Sequence, residues 1–182
     1  MTLEIILISI SLAMDAFAVS IGKGLSTRKN TLKVAIACGL WFGTFQGLMP
    51  LVGYALGSAV SGIIIQYSGI VALVLLALVG ANMIRESVFS DDEEEVSSSL
   101  DVKEMFMLAI ATSIDALVVG VSYVAIGANI VMASIIIGVI TFVICFLGAF
   151  LGNKIGTAFE KPAAIAGGIV LILIGVKICF FG

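Results

Sequence analysis

Asp15 and Asp115 each stand in the middle of a long apolar run, and no other feature restricts the possible folds of this chain so tightly. The run from Ile5 to Ile21 is otherwise uncharged and consists mostly of Ile, Leu, Ala, Val and Phe. One hundred residues after Ser11-Leu12-Ala13-Met14-Asp15-Ala16-Phe17-Ala18-Val19-Ser20 comes Ala111-Thr112-Ser113-Ile114-Asp115-Ala116-Leu117-Val118-Val119-Gly120. A carboxylate at the centre of a hydrocarbon layer costs about 2.5–3.5 kcal/mol on insertion scales, so such residues are rare in spans and mark ion or substrate pathways. Two of them in matching contexts point to a shared purpose.

Composition decides that the layer is a membrane. The 182 residues are 61% hydrophobic and 12% charged, with a mean hydropathy of +1.26. Soluble domains are about 45–50% apolar and about 25% charged, and one soluble domain of this length could not hide so much apolar surface. The first run has no basic leader and no clear cleavage site, and reads as a retained span. The net charge of −3 says little, because five of the twelve acidic residues form one run, Asp91 to Glu95. No basic patch suggests nucleic acid. The absence of histidine removes imidazole-based zinc sites and His-dependent catalytic triads. Cys38, Cys145 and Cys179 lie inside apolar segments without CxxC spacing and read as packing residues. No cofactor is expected.

Six segments approach the roughly 20 residues a spanning helix needs, so the expected fold is an all-α integral membrane protein. The spans fall at about 3–22, 34–57, 66–86, 104–124, 129–151 and 162–181. Lys23, Arg28, Lys29 and Lys33 fill the first loop, Arg85 and Lys103 flank the third, and Lys154 and Lys161 occupy the fifth. Among the nine basic residues only Lys177 lies elsewhere, near the outer end of the sixth span. The positive-inside rule then makes the odd-numbered loops cytoplasmic and puts both termini outside.

The two halves repeat. At an offset of 100, Ile10, Asp15, Ala16 and Val19 fall on Ile110, Asp115, Ala116 and Val119. At an offset of 95, Gly43, Gln46, Gly53, Gly57 and Gly80 fall on Gly138, Thr141, Gly148, Gly152 and Gly175. Three spans per half make the repeat inverted, an arrangement that puts transporter sites near the midplane. The expected division is a first repeat over 1–88, an acidic cytoplasmic linker over 89–103, and a second repeat over 104–182. Asp15 lies about 18 Å along its helix from the outer side. Asp115 lies as far from the inner side, and both come near the middle of a core about 30 Å thick.

Each carboxylate has hydroxyl neighbours at helical spacing: Ser11 beside Asp15, and Thr112 and Ser122 beside Asp115. Gln46 lies in a glycine-rich stripe of the second span that also holds Pro50, and Thr141 in the corresponding stripe of the fifth. Small residues there permit close helix approach. Asn82, Arg85 and Glu86, at the cytoplasmic end of the third span, read either as a gate and further ligands or as interfacial anchors. The candidate metal-ligating set is therefore Asp15, Asp115, Gln46, Ser11, Thr112, Thr141, Asn82 and Glu86. Oxygen donors without imidazole suit Mg²⁺, Ca²⁺ or Mn²⁺. Two ionised aspartates neutralise one divalent cation, and a proton can replace it as counter-charge. The run Asp91-Asp92-Glu93-Glu94-Glu95 with Ser97-Ser98-Ser99 reads as a solvated linker.

Met14-Asp15-Ala16-Phe17-Ala18-Val19-Ser20-Ile21-Gly22 and Ser113-Ile114-Asp115-Ala116-Leu117-Val118-Val119-Gly120 resemble the two signature stretches of the MntP-type manganese efflux pumps. The resemblance continues through Phe42-Gly43-Thr44-Phe45-Gln46-Gly47-Leu48-Met49-Pro50, Gly80-Ala81-Asn82-Met83-Ile84-Arg85-Glu86 and Gly167-Gly168-Ile169-Val170-Leu171. It implies a six-helix bacterial inner-membrane exporter of Mn²⁺, distantly related to LysE-type exporters, with Asp15 and Asp115 as its transport aspartates. Some members carry Glu where this chain has Gln46. The readings that compete are a LysE-like exporter of amino acids or of another divalent cation such as Cd²⁺ or Ca²⁺, a membrane scaffold, and an intramembrane aspartyl protease. The last resembles this chain only in having two aspartates on separate spans, since neither Met14-Asp15 nor Ile114-Asp115 forms the Gly-x-Gly-Asp motif of those enzymes.

Overall fold

A computed structural model describes residues 2–26, 31–59, 100–126 and 129–155, with scattered helical positions between 70 and 88 and between 165 and 180. Among the described residues all regular structure is helical: α1 (Thr2–Ser26), α2 (Thr31–Ser58), α3 (Val102–Ala111), α4 (Ile114–Ile126) and α5 (Ile130–Ile155). Leu3–Gly24, Thr31–Ser58 and Ile130–Gly152 are each long and apolar enough to cross a membrane. The pair α3 and α4 makes a fourth such segment when taken as one span bent by 42°. The chain is a multi-pass membrane protein. Most of the expected third and sixth spans and the acidic run lie outside the described residues.

The packing is turned outward, as a lipid solvent requires. Leu32, Ile36 and Leu40 on α2, and Val131, Ile135 and Val139 on α5, are exposed at four-residue spacing. Ser9, Ser11, Ser20, Gln46, Ser122, Ser134 and Thr141 are buried. A water-soluble protein rarely shows so continuous an apolar surface.

The helices are held together by missing side chains. α2 packs on α5 and α4, and α1 packs on α5. Gly43 and Gly138 face each other, and a Cβ on either would stand 2.9 Å or 3.0 Å from the other's carbonyl oxygen. A Cβ at Gly53 would collide with the Leu117 carbonyl, one at Gly120 with that of Pro50, and one at Gly24 with that of Ala149. Pro50 lies inside α2 without ending it. It has no N–H to give the Gln46 carbonyl one turn back.

Two expectations are corrected. The fourth span does not run unbroken over 104–124. At Thr112–Ser113 two successive hydroxyls turn back on the helix: Thr112 Oγ1 donates to the Leu108 carbonyl at 3.0 Å, and Ser113 Oγ to that of Ala109. Such back-bonding competes with the backbone ladder and bends helices. Here the Ser113 N–H shortens its reach to the Ile110 carbonyl at 3.0 Å, and the regular ladder resumes with Leu117 N–H on the Ser113 carbonyl at 3.1 Å. Second, Lys23 is not a loop residue. α1 continues to Ser26, and the Lys23 side chain is fully buried, its ammonium 2.7 Å from Glu104 Oε1 on α3. Lys33 and Lys103 likewise belong to helices, near the starts of α2 and α3, and are exposed.

Candidate cation site

α1 runs antiparallel to the α3–α4 segment: Lys23 near its end meets Glu104 near the start of α3, while Ile5 and Ile8 near its beginning share a buried cluster with Val119 and Tyr123 of α4. Asp15 and Asp115 both lie between these anchor points, Asp115 just after the 42° bend. α1 has little close backbone approach to α3 or α4; side chains such as Leu12, Ala116 and Val119 fill the seam between them.

Asp15 and Asp115 are both half-buried. Asp115 sits in the first turn of α4, and its Oδ1 accepts the Ala116 N–H at 2.8 Å. The break after Ala111 therefore places a helix N-terminus, with its unsatisfied N–H groups and positive dipole end, beside a carboxylate inside the span. Asp15 has no such device, since α1 passes through it unbroken.

Gln46 is buried, and its Nε2 donates to the Leu12 carbonyl at 2.5 Å, three residues before Asp15. That bond orients the amide and leaves Oε1 buried with no hydrogen-bond partner among the described residues. Thr141 Oγ1 on α5 and Ser134 Oγ two turns earlier share that condition. A buried polar atom left unmade costs about 1–3 kcal/mol. Ser11 and Thr112 spend their hydroxyl protons on backbone carbonyls one turn back, Leu7 at 2.9 Å and Leu108 at 3.0 Å. Among the described residues no three carboxylates, thiols or imidazoles cluster. Asn82 and Glu86 lie outside the described residues; Arg85 is exposed.

Sequence reasoning missed Lys23, Glu104 and Ser134. The first two carried a signal: Lys23 lies eight residues beyond Asp15 and Glu104 eleven before Asp115, so antiparallel helices with level aspartates bring them close. Ser134 stands seven residues before Thr141, on the same helical face.

A family model described as "Putative manganese efflux pump" matches residues 29–179. Curated relatives bearing that designation span almost the whole chain. One from Bifidobacterium adolescentis is 45% identical over 99% of this chain and 96% of its own length. One from Desulfitobacterium hafniense is 46% identical over 97% and 93%, and one from Methanosphaera stadtmanae 44% identical over 97% of each. No solved structure matches the chain.

Proposed function

We propose, from the premise that the chain belongs to the MntP family of manganese efflux pumps, that it exports Mn²⁺ from the cytoplasm through a midplane site built on Asp15 and Asp115. It is a transporter and not an enzyme, and Mn²⁺ is its cargo. The observation that supports the reading is the antiparallel run of α1 against α3–α4, with one span carboxylate on each between the same two anchor points.

In this reading Asp115, fixed by the Ala116 N–H and the α4 N-terminus, is the stationary ligand. Asp15 supplies the second charge. Gln46 Oε1 and Thr141 Oγ1 add neutral oxygens, while Ser11, Thr112, Asn82 and Glu86 complete the candidate set. Two carboxylates cancel the charge of one divalent ion; after its release their repulsion favours uptake of a proton. That proton returns inward in exchange. An oxygen-only set holds Mn²⁺ without the thiolates that would retain softer ions.

The architecture proposed is six spans in two inverted three-helix repeats, both termini outside, with residues 89–103 as a cytoplasmic linker. Support comes from contacts that exchange under the two sequence offsets. Gly53 against Leu117 becomes Gly148 against Phe17; Gly39 against Phe142 becomes Ser134 against Gly47; Gly43 against Gly138 returns to itself. Lys23 with Glu104 becomes Tyr123 with Glu4. A two-fold relation between the halves gives this reciprocity. Alternating access then follows from the halves exchanging packing about the site.

The test is Mn²⁺ flux in liposomes holding the wild type, Asp15→Asn or Asp115→Asn, with a pH-sensitive dye in the lumen. Wild-type flux accompanied by counter-movement of protons, and its loss in each variant, is the expected result. Unimpaired flux in both variants would remove the site assignment, and absence of Mn²⁺ flux in every protein would remove the substrate.

A further inference from the structure

The Lys23–Glu104 ion pair has no part in holding the cation, yet it is the most heavily buried charge interaction among the described side-chain ion pairs. Lys23 is 0% exposed while Glu104 retains 31%. Its counterpart at the other end, Lys177 with Glu4, has a lysine that is 62% exposed. Lys23 lies about 12 Å along α1 from Asp15, and the pair joins α1 to α3 across 81 residues of sequence. α1 carries Asp15, α3 leads through the break to Asp115 at the start of α4, and the backbones of α1 and α3 scarcely touch. Beside the pair sits a buried thiol: Cys38 feels the Lys23 ammonium and packs in the same cluster as Ala16, Met105 and Ala109.

The ends of the seam are closed differently. The repeat-related partner of Lys23 is Tyr123, a neutral phenol, so among the described residues the outer end has no buried cation of its own and Glu4 takes the exposed Lys177 instead. An ion pair with one member fully buried opens only when water or another cation compensates the buried charge. An exposed pair exchanges freely with solvent.

We propose that Lys23–Glu104 is the cytoplasmic gate of the transport path. Closed, it plugs the seam between the aspartates and the cytoplasm with an amphipathic side chain and its counter-ion. Opened, it gives the site to the cytoplasm, and its reclosure accompanies release to the outer side through the weaker Glu4–Lys177 closure. This assignment rests on the transport reading and on the orientation proposed above.

Cys38 provides the reporter. In full-length protein carrying Cys145→Ala and Cys179→Ala, labelling of Cys38 by a membrane-impermeant maleimide is followed from each face, in inside-out and right-side-out vesicles. Lys23→Met is the informative variant, because it removes the buried charge outright, whereas Glu104→Gln keeps the ammonium in place. Lys23→Met should raise the labelling rate from the cytoplasmic face about tenfold and lower Mn²⁺ export. The charge exchange Lys23→Glu with Glu104→Lys should return both readings toward the parent. Parent-like labelling in Lys23→Met would overturn the gate. So would labelling that rises equally from both faces, which is general loosening, or from the outer face alone. A charge exchange no better than Lys23→Met would also overturn it. Full flux in Asp15→Asn would count against the transport site while leaving the labelling result standing, so the two failures are distinguishable.

Discussion

Replacing Gly53 by Ala measures how closely α2 and α4 approach. The new Cβ would collide with the Leu117 carbonyl oxygen and lie 2.8 Å from its carbon and 3.2 Å from its Cα, against 3.4 Å or more in ordinary contact. Every obstacle is backbone, so relief requires moving one helix bodily by more than half an ångström. Overpacking of that kind costs about 1–3 kcal/mol, and an unyielding obstacle puts it near the top. Gly57→Ala is the control one turn on. Its Cβ meets Val124 Cγ2 at 3.1 Å, Val121 Cγ1 at 3.2 Å and Val121 Cα at 3.3 Å, all tight contacts but none a collision, so a few tenths of an ångström relieve them. Both replacements gain about 1 kcal/mol of helix propensity, which cancels in the comparison. The expected difference is about 2 kcal/mol, or about 4–8 °C in Tm for a chain of this size. Thermal unfolding of the two variants in the same detergent, read by tryptophan fluorescence from Trp41, tests it. Flux should fall in Gly53→Ala as well, because α4 carries Asp115. Variants melting within about 2 °C of each other would refute the backbone-to-backbone contact.

Thr141→Val removes a buried hydroxyl without a hydrogen-bond partner among the described residues, so unfolding should show a gain of up to about 1 kcal/mol while the Mn²⁺ concentration for half-maximal flux rises; unchanged flux would make Thr141 a packing residue. Gln46→Leu loses the donor to the Leu12 carbonyl and should cost about 1–2 kcal/mol together with most of the flux. Gln46→Glu, which adds a charge beside the aspartates, should tighten Mn²⁺ binding measured by calorimetry and slow turnover. Lys177→Met breaks only a solvent-exposed pair and should change stability by less than about 1 kcal/mol, a contrast with Lys23→Met readable in the same melting experiment.

Much of this was legible in the sequence because a membrane imposes simple rules. Continuous apolar runs, one carboxylate in each of two of them, and glycines at matching offsets led directly to spanning helices and to two chemically distinct residues. Family resemblance supplied manganese, which spacing could not. What stayed hidden depends on where water stops. Lys23 looked like the first residue of a loop because a lysine flanking an apolar run ordinarily faces solvent. Its burial depends on Glu104, far away in sequence, reaching it from another helix. The break at Thr112–Ser113 was equally invisible to hydropathy: both residues are common inside spans, and only their being consecutive, each bonding back one turn, redirects the chain. Asp115 consequently belongs to a helix end, while its sequence twin Asp15 belongs to a helix middle.

The mutual approach of Gly43 and Gly138 has a mechanical consequence. At that point α2 and α5 meet through glycine backbone, with the Phe142 side chain packed against Gly39 and Gly43 beside it. A tilt about that point has to carry the Phe142 ring over Gly39, whereas sliding drives each carbonyl into its neighbour. Ser58 lies about 22 Å from Gly43 along α2, so a tilt of about 10° carries the helix end through about 4 Å, within the range of known rigid-body switches. The crossing is a fulcrum, and the glycines set its friction.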